Sequence, residues 1–347
     1  MSLARLVAER TIVVCCGSGG VGKTTTAATL ALEAARAGRR ACVVTIDPAK
    51  RLADALGLET LSNTPGRIDG PWTGELSALM LDTKSTFDAL VTRYAATPEQ
   101  AEAILANRVY RNMAGALSGT QEYMAMEKLH ELAEGGDFDL IVIDTPPTRN
   151  ALDFLDAPRR LTRFLDNRVF KLLMMPTRAY LKAVSIATQT FLRTISRVVG
   201  GEVVADAVAF FQAFEGMEQG FRDRAAEVLA MLKAPTTAFV LVTSPRRDAV
   251  EEASFFADKL GESGIGVDGL VVNRVHPSFG DAPVPAGFGA LSENLADFRR
   301  IAEREAHHVE ALAGRVAPAP VARVPFLADD VHDLDGLARV GASLFGD

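Results

Sequence analysis

Cysteine is scarce in this sequence, with three residues among 347. Cys15, Cys16 and Cys42 all lie within short apolar runs that are typical of buried strands, and no pair has the CxxC spacing. A disulfide framework and a zinc site of the CxxC type are therefore excluded. This use of cysteine fits a reducing compartment, so we expect a cytoplasmic protein that holds no zinc.

Positive charge and long apolar runs are also lacking. Lys and Arg number 37 against 44 Asp and Glu, which gives a net charge of −7. Broad nucleic-acid affinity needs a dominating basic surface, so we expect no nucleic-acid partner. No uninterrupted apolar run approaches the roughly 20 residues that a membrane span requires. The first run, Thr11–Cys16, is too short for a signal-peptide core. Peripheral association with a membrane is still compatible with the sequence.

What the sequence does contain is a series of short, β-rich apolar runs that alternate with helical patterns. Hydrophobic residues make up 48% of the chain, enough for a sizeable core. Runs that are apolar on both faces and separated by helices indicate a parallel sheet covered on both sides. We therefore predict an α/β fold with a doubly wound, mostly parallel sheet. The predicted strands are Thr11–Cys16, Ala41–Ile46, Leu76–Leu81, Leu140–Ile143, Thr237–Thr243, Leu270–Val272 and, more weakly, Val321–Pro325.

Two long segments interrupt this alternation. Residues 86–135 are predicted to form a helical insertion, including a helix over Gln121–Glu134 that follows Ser118-Gly119-Thr120. Residues 150–233 are helical by periodicity, with breaks at Pro176 and Gly200-Gly201, and are predicted to form a helical subdomain. A stretch rich in Gly and Pro at 277–289 is predicted to be a loop. We expect residues 1–347 to form one domain that carries these insertions.

The strongest chemical signal is a glycine-rich loop at residues 17–24 that satisfies the pattern GxxxxGK[ST]. It lies between the first predicted strand and a predicted helix over 23–37, which is the context that a phosphate-binding loop requires. Glycines let backbone N–H groups surround a polyphosphate, and the helix N-terminus adds partial positive charge. We predict that Lys23 reaches the β- and γ-phosphates of ATP or ADP and that Thr24 ligates Mg²⁺. The predicted nucleotide-binding residues here are Gly17, Ser18, Gly19, Gly20, Val21, Gly22, Lys23, Thr24 and Thr25.

Two acidic residues follow predicted strands, where ligands bind in this kind of sheet. Asp144 ends the run Leu140-Ile-Val-Ile-Asp and is predicted to hold Mg²⁺ through a water molecule. Asp47 ends the second strand and is predicted to act in catalysis with Lys23, by orienting or deprotonating the attacking water. The alternative for each aspartate is an ordinary cap at the end of a strand.

Three segments together, GSGGVGKTT, IDPAKRLADAL and IDTPPTRNALDFL, resemble the ArsA family. That family includes arsenite-pump ATPases and the guided-entry ATPases that deliver tail-anchored proteins. The resemblance implies a P-loop NTPase fold of the SIMIBI type, with switches at 47–49 and 144–148. It also implies that Asn273 reads the edge of the adenine base and that Pro325 and Phe326 cover its face. The chain is especially similar to an actinobacterial guided-entry-like subgroup found as paired paralogues.

The sequence departs from the family pattern in three places. Ser18 stands where the family has an extra P-loop lysine that crosses a dimer interface to the partner's phosphates. A paralogue that keeps this lysine is therefore the expected partner, with a homodimer using Lys50 or Arg51 as the alternative. The thiols that bind metalloid in arsenite ATPases are missing, which disfavours arsenite pumping. A CxxC pair for a zinc between subunits is missing as well.

Residues 159–197 form a basic segment in an acidic protein, with interleaved apolar residues. In the guided-entry relatives, this region forms an apolar groove for client helices. The alternative is an amphipathic helical layer that packs on the core, with solvated arginines outside. The basic residues are Arg159, Arg160, Arg163, Arg168, Lys171, Arg178, Lys182, Arg193 and Arg197.

The predicted function is an ATP-hydrolysing molecular switch that handles or targets a hydrophobic client or a membrane partner. A regulatory or positioning ATPase of the MinD/ParA type is one alternative, although the acidic C-terminal segment at 329–335 disfavours it. An ATP-dependent ligase of the same superfamily is another. The five histidines, His130, His276, His307, His308 and His332, lack metal-ligand spacing and are expected to be structural or solvated.

Overall fold

The structure is a computed structural model that describes residues 2–47, 49–113, 120–146, 216–280 and 289–346, with residue 282 and single positions between 156 and 213. Several predicted features lie outside the described residues. They are Pro48, Ser118-Gly119, Pro147-Thr148, the breaks at Pro176 and Gly200-Gly201, most of the helical segment 150–233 and most of the loop 277–289.

Eight strands form one sheet in the order β3-β4-β2-β5-β1-β6-β7-β8. Every pairing is parallel except that of β3 with β4, which is antiparallel. The predicted doubly wound, mostly parallel sheet is therefore confirmed. The strands are β1 Ile12–Cys16, β2 Arg40–Thr45, β3 Gly66–Ile68, β4 Glu75–Met80, β5 Leu140–Asp144, β6 Thr237–Thr243, β7 Gly269–Val275 and β8 Val321–Pro325.

The described helices fall between the strands and at both ends of the chain. They are α1 Leu3–Glu9, α2 Lys23–Arg36, α3 Arg51–Ala55, α4 Thr83–Tyr94, α5 Pro98–Ala106, α6 Arg108–Met113, α7 Thr120–Gly135, α8 Glu218–Lys233, α9 Arg247–Glu262, α10 Ala290–Val316 and α11 Leu334–Phe345. Across the described part of the chain, no helix combines the length and the apolar character needed to span a membrane.

The chain divides into two compact units. The first contains the sheet and comprises residues 1–81, 131–152 and 233–347, and the second comprises residues 82–130 and 153–232. The bounds of the helical segments predicted at 86–135 and 150–233 are similar to the bounds of the two stretches that make up the second unit. The assignment of 1–347 to a single domain with these insertions stays a prediction.

The core of the first unit is built from central strands that are buried along their whole length and from the alanine-rich helix α2. Every residue of β1, β5 and β6 is buried, as expected for parallel strands covered on both faces. Helix α2 buries Ala27, Ala31 and Ala34 completely. Small side chains let a helix axis lie close to a sheet, so α2 is fixed directly behind the loop that precedes it.

The second unit has its own buried contacts. Tyr94 packs against Phe221 with ring centroids 5.2 Å apart. Arg224 and Glu127, both nearly inaccessible to solvent, form an ion pair of 3.1 Å, and Tyr123 donates a further hydrogen bond to Glu127. Burial raises the pKa of Glu127, while the tyrosine and arginine partners lower it. A buried charge needs such partners, so this network holds α7 and α8 together.

Candidate functional site

The glycine-rich loop emerges at the carboxyl end of β1, which lies between β5 and β6. Gly17 has a φ of 149°, and a Cβ atom there would lie 2.0 Å from the carbonyl oxygen of Val242 in β6. Gly22 has a φ of 97°, and a Cβ atom there would lie 2.1 Å from Nδ2 of Asn273 in β7. Only glycine lets the loop approach these strands so closely. The loop is thereby fixed against the sheet on both sides of its apex.

Lys23 begins α2, and its side chain is largely buried beneath the loop. Its Nζ donates a hydrogen bond to the carbonyl oxygen of Ser18 at 2.8 Å. Burial lowers the pKa of Lys23, and the negative charge of Asp144 partly opposes that change. A desolvated ammonium group gains from an anionic partner, which is what a phosphate oxygen supplies.

Asp144 lies at the end of β5 and is almost completely buried. Its Oδ2 accepts hydrogen bonds from Thr24 Oγ1 at 2.7 Å and from Thr45 Oγ1 at 2.9 Å. Burial raises the pKa of Asp144, while the two threonine hydrogen bonds and the charge of Lys23 lower it. The parallel register of β2, β5 and β1 brings these side chains to one edge of the sheet.

The second carboxylate oxygen of Asp144, Oδ1, is buried and has no hydrogen-bond partner among the residues that the structure describes. An unsatisfied buried carboxylate oxygen is costly, so a donor belongs at this position. A water molecule bound to Mg²⁺ is such a donor, and hydroxyl and carboxylate oxygens are the ligands that Mg²⁺ prefers. Thr24 and Asp144 therefore fit the cation, and assigning it to them stays a prediction.

Thr45 is a site residue that the sequence did not lead us to expect. It is the last residue of β2, is buried, and donates to the same carboxylate oxygen as Thr24. A threonine at the end of a strand is common, and no local pattern marks it as a partner of Asp144. Its contact depends on the pairing of β2 with β5, which is visible only in the folded chain.

Asp47 lies two residues beyond the end of β2 and is partly buried. Its Oδ1 accepts from the backbone N–H of Ala49 at 2.9 Å, and its Oδ2 accepts from Arg51 Nη1 at 3.2 Å. The carboxylate thus caps its own loop and pairs with the first residue of α3. Its negative charge also raises the pKa of Asp144, so the two acids belong to one electrostatic site. Its catalytic role stays a prediction.

Beside the loop lies a cavity of about 510 Å³, within the range of small-molecule sites. Ser18, Gly19, Gly20 and Val21 form one side of it. The remaining lining residues come from the carboxyl end of β7, from the segments that follow β6, β7 and β8, from α9 and from one residue of α10. These lining residues include Ser244, Arg246, Arg274, His276, Glu305 and Phe326.

The residues predicted to contact the base lie at this part of the molecule. Asn273 donates through Nδ2 to the carbonyl oxygen of Val21 at 3.0 Å, and its Oδ1 accepts from the backbone N–H of Arg274 at 2.9 Å. Its amide therefore connects β7 to the loop. Phe326 follows Pro325 at the end of β8, is 60% exposed and lines the cavity. The base-binding roles of Asn273, Pro325 and Phe326 stay predictions.

His276 is a cavity residue that sequence reasoning missed, and Arg274, the neighbour of Asn273, lines the cavity as well. Arg274 has a φ of 62°, which is unfavourable for a residue with a side chain. In that conformation its Nη1 donates to the carbonyl oxygen of Gly20 at 3.3 Å. His276, which we expected to be structural or solvated, lines the cavity instead. The side chains at the end of β7 and just after it therefore contact the loop and line the cavity.

Comparison with known proteins gives a consistent result over almost the whole chain. Residues 10–346 match the model of a family described as anion-transporting ATPase. The chain is 25% identical to the ATPase GET3 of Malassezia globosa over 333 residues, covering 96% of this chain and 90% of that protein. It is 21% identical to an Aquifex aeolicus protein named as an arsenical pump-driving ATPase, covering 97% and 79%. It is 27% identical to the ATPase ARSA2 of Chlamydomonas reinhardtii, covering 75% and 66%.

Proposed function

The chain belongs to the ArsA family of anion-transporting ATPases, and on that basis we propose that it is a molecular switch that hydrolyses ATP to handle a hydrophobic client or a membrane partner. Its ATPase activity follows from the family. The finer assignment, to a guided-entry type of switch, is supported by relatives named ATPase GET3 that align along nearly the full chain. ATP, ADP and Mg²⁺ are the proposed ligands of the site.

The observation that carries this proposal is the cluster of Lys23, Thr24 and Asp144 at one edge of the sheet. A buried ammonium group faces the loop, and a buried carboxylate accepts from the first threonine of α2. Phosphoryl transfer needs a cation at the phosphates and a metal beside them, and the cluster offers groups for both. Asp47, beyond the adjacent strand β2, supplies the group that we assign to the attacking water.

A hydrophobic client fits this chain better than a soft metalloid ion does. Cys15, Cys16 and Cys42 are all buried in β1 and β2, so none of the three thiols can bind an arsenite or antimonite ion from solution. The helical segment at 159–197 is the proposed client surface. Arg159, Arg160 and Arg163 are helical and exposed, and the rest of its basic residues lie outside the described part of the chain.

We further propose that the chain works with a paralogue that carries the lysine missing at Ser18. A cation that enters from a partner can accelerate phosphoryl transfer by about 10³ or more. Ser18 lines the cavity and offers no such charge. Arg51, one possible substitute within the chain, is paired with Asp47. A homodimer that uses Lys50, Arg51 or no crossing charge is the competing arrangement.

The test of this partnership is ATP turnover and molecular mass of the purified chain, alone and with its paralogue. We expect the two chains to associate at micromolar concentration and turnover to rise at least about tenfold. Ser18→Lys should raise turnover of the isolated chain, because it restores the missing charge. The matched control is Ser254→Lys, which adds the same charge on α9 at a residue outside the cavity lining. Equal turnover with and without the paralogue, together with no association, would disprove the partnership.

A further inference from the structure

His276 is held in the cavity by two partners. Its ring Nδ1 lies 2.9 Å from Glu305 Oε1, and its backbone N–H donates to Glu305 Oε2 at 3.0 Å. Its ring also stacks on Phe326, with centroids 5.6 Å apart and planes inclined by 16°. One carboxylate thus binds both the backbone and the ring of His276, which fixes the orientation of the imidazole.

This arrangement determines which ring nitrogen carries the proton. A carboxylate only accepts hydrogen bonds, so Nδ1 must be the donor to Glu305. In a neutral imidazole the other nitrogen, Nε2, is then a hydrogen-bond acceptor. His276 lines the cavity while Nδ1 is occupied, so its remaining polar atom is available to a bound molecule.

We propose that His276 selects adenine over guanine at this site, with Glu305 as the positioning residue. The inference rests on the proposed function, in which the phosphates of ATP bind the loop at 17–24. His276 and Phe326 line the cavity that adjoins this loop, so we place the base beside these two side chains. Adenine presents an amino donor at N6, whereas guanine presents the acceptor O6 at that position. The Nε2 atom can accept a hydrogen bond from the N6 amino group of adenine, whereas two acceptors, Nε2 and O6, would face each other if guanine were bound.

The neighbouring base-site residues do not make this distinction by themselves. Phe326 offers an aromatic face, and stacking on an aromatic ring accepts any base. The Asn273 amide, which we predict to read the edge of the base, donates to Val21 and accepts from Arg274. These two bonds leave the amide one donor and one acceptor, so it can pair with either base. An acceptor in a fixed orientation adds the missing discrimination, because the wrong base leaves polar groups unpaired.

The experiment measures displacement of the fluorescent nucleotide mant-ADP by ATP and by GTP, with Mg²⁺, on the full chain. Wild type is expected to bind ATP at least about tenfold more tightly than GTP. His276→Ala is expected to lose about tenfold of this preference, chiefly through weaker ATP binding, while GTP binding stays within about twofold. His307→Ala is the matched control, because His307 is exposed on the helix that carries Glu305 and lies outside the cavity lining.

Glu305→Gln gives a sharper test of the positioning role. In this variant the backbone N–H of His276 would donate to the side-chain amide oxygen of residue 305, which leaves the NH₂ group of that amide facing Nδ1 of His276. Nδ1 must then accept, and Nε2 becomes a donor that suits O6 of guanine. We expect Glu305→Gln to show a smaller preference for ATP over GTP than His276→Ala shows. A simple loss of structure would not produce this difference between the two variants. Glu303→Gln, an exposed change on the same helix, should keep the wild-type preference.

The outcomes distinguish a failure of the role assigned to His276 from a failure of the proposed function. ATP binding by the wild type with an unchanged preference in both His276→Ala and Glu305→Gln would overturn the role of His276 and leave the proposed function standing. Failure of the folded wild type to bind either nucleotide would overturn the proposed function and this inference together.

Discussion

Lys23→Ala is expected to weaken MgATP binding by about 100-fold or more, beyond detection by calorimetry at ordinary concentrations. The side chain places a buried ammonium group at the loop, where it donates to the carbonyl oxygen of Ser18, and hydrogen bonds from it to the phosphate oxygens of bound ATP would be charge-assisted. Alanine leaves the phosphates without that partner. Isothermal titration calorimetry with ATP and Mg²⁺ measures the effect directly.

The loss should reflect chemistry at the loop and not unfolding. Burial disfavours the charged form of Lys23, so its removal should leave the thermal unfolding temperature unchanged or slightly raised. Lys84→Ala is the matched control, since Lys84 is an exposed lysine paired with Asp88 in the second unit. Wild-type affinity in a folded Lys23→Ala protein would contradict the assignment of the loop.

Asp47→Asn is expected to keep MgATP binding within about threefold of wild type and to lower ATP turnover by about 100-fold or more. Asparagine keeps an oxygen that can accept from the N–H of Ala49, so the loop after β2 should retain its form. It loses the negative charge that would orient or deprotonate the attacking water. Steady-state phosphate release, with binding measured in parallel, separates the two effects.

The control for this variant is Asp54→Asn, an exposed acid of α3 that lies outside the proposed site. It should show wild-type turnover and wild-type binding. Equal turnover by wild type and Asp47→Asn would remove Asp47 from the catalytic assignment, and the pairing of its carboxylate with Arg51 would then be its whole role.

The central sheet could be predicted because its strands are buried on both faces and therefore form continuous apolar runs. Thr11–Cys16 and Thr237–Thr243 match the observed β1 and β6 almost residue for residue. Strand β3 was missed because Gly66–Ile68 has only three residues and is mostly exposed at the antiparallel edge. Strand β7 extends three residues beyond Val272, through the polar pair Asn273-Arg274, where the apolar pattern has already ended.

The positions of the loop, Asp47 and Asp144 could be predicted for a different reason, because each is marked by a short run of consecutive residues in the sequence. Their roles in binding and catalysis stay predictions. Thr45, by contrast, reaches Asp144 across 99 positions of sequence, and Glu305 reaches His276 across 29. Such contacts arise from strand order and helix packing, so a lone threonine or histidine gives no sign of them. The backbone of Arg274 is a further case, since an arginine in a strand gives no indication of a positive φ.

The most direct test of the account is the Mg²⁺ dependence of ATP binding by wild type and Asp144→Asn. Among the residues that the structure describes, the buried Oδ1 of Asp144 has no hydrogen-bond partner, which supports our prediction that Asp144 is the acid beside the metal. ATP affinity of the wild type should rise with Mg²⁺, and Asp144→Asn should require about 10- to 100-fold more Mg²⁺ for the same gain. An identical Mg²⁺ dependence in the two folded proteins would contradict the placement of the metal and, with it, the site built from Lys23, Thr24 and Asp144.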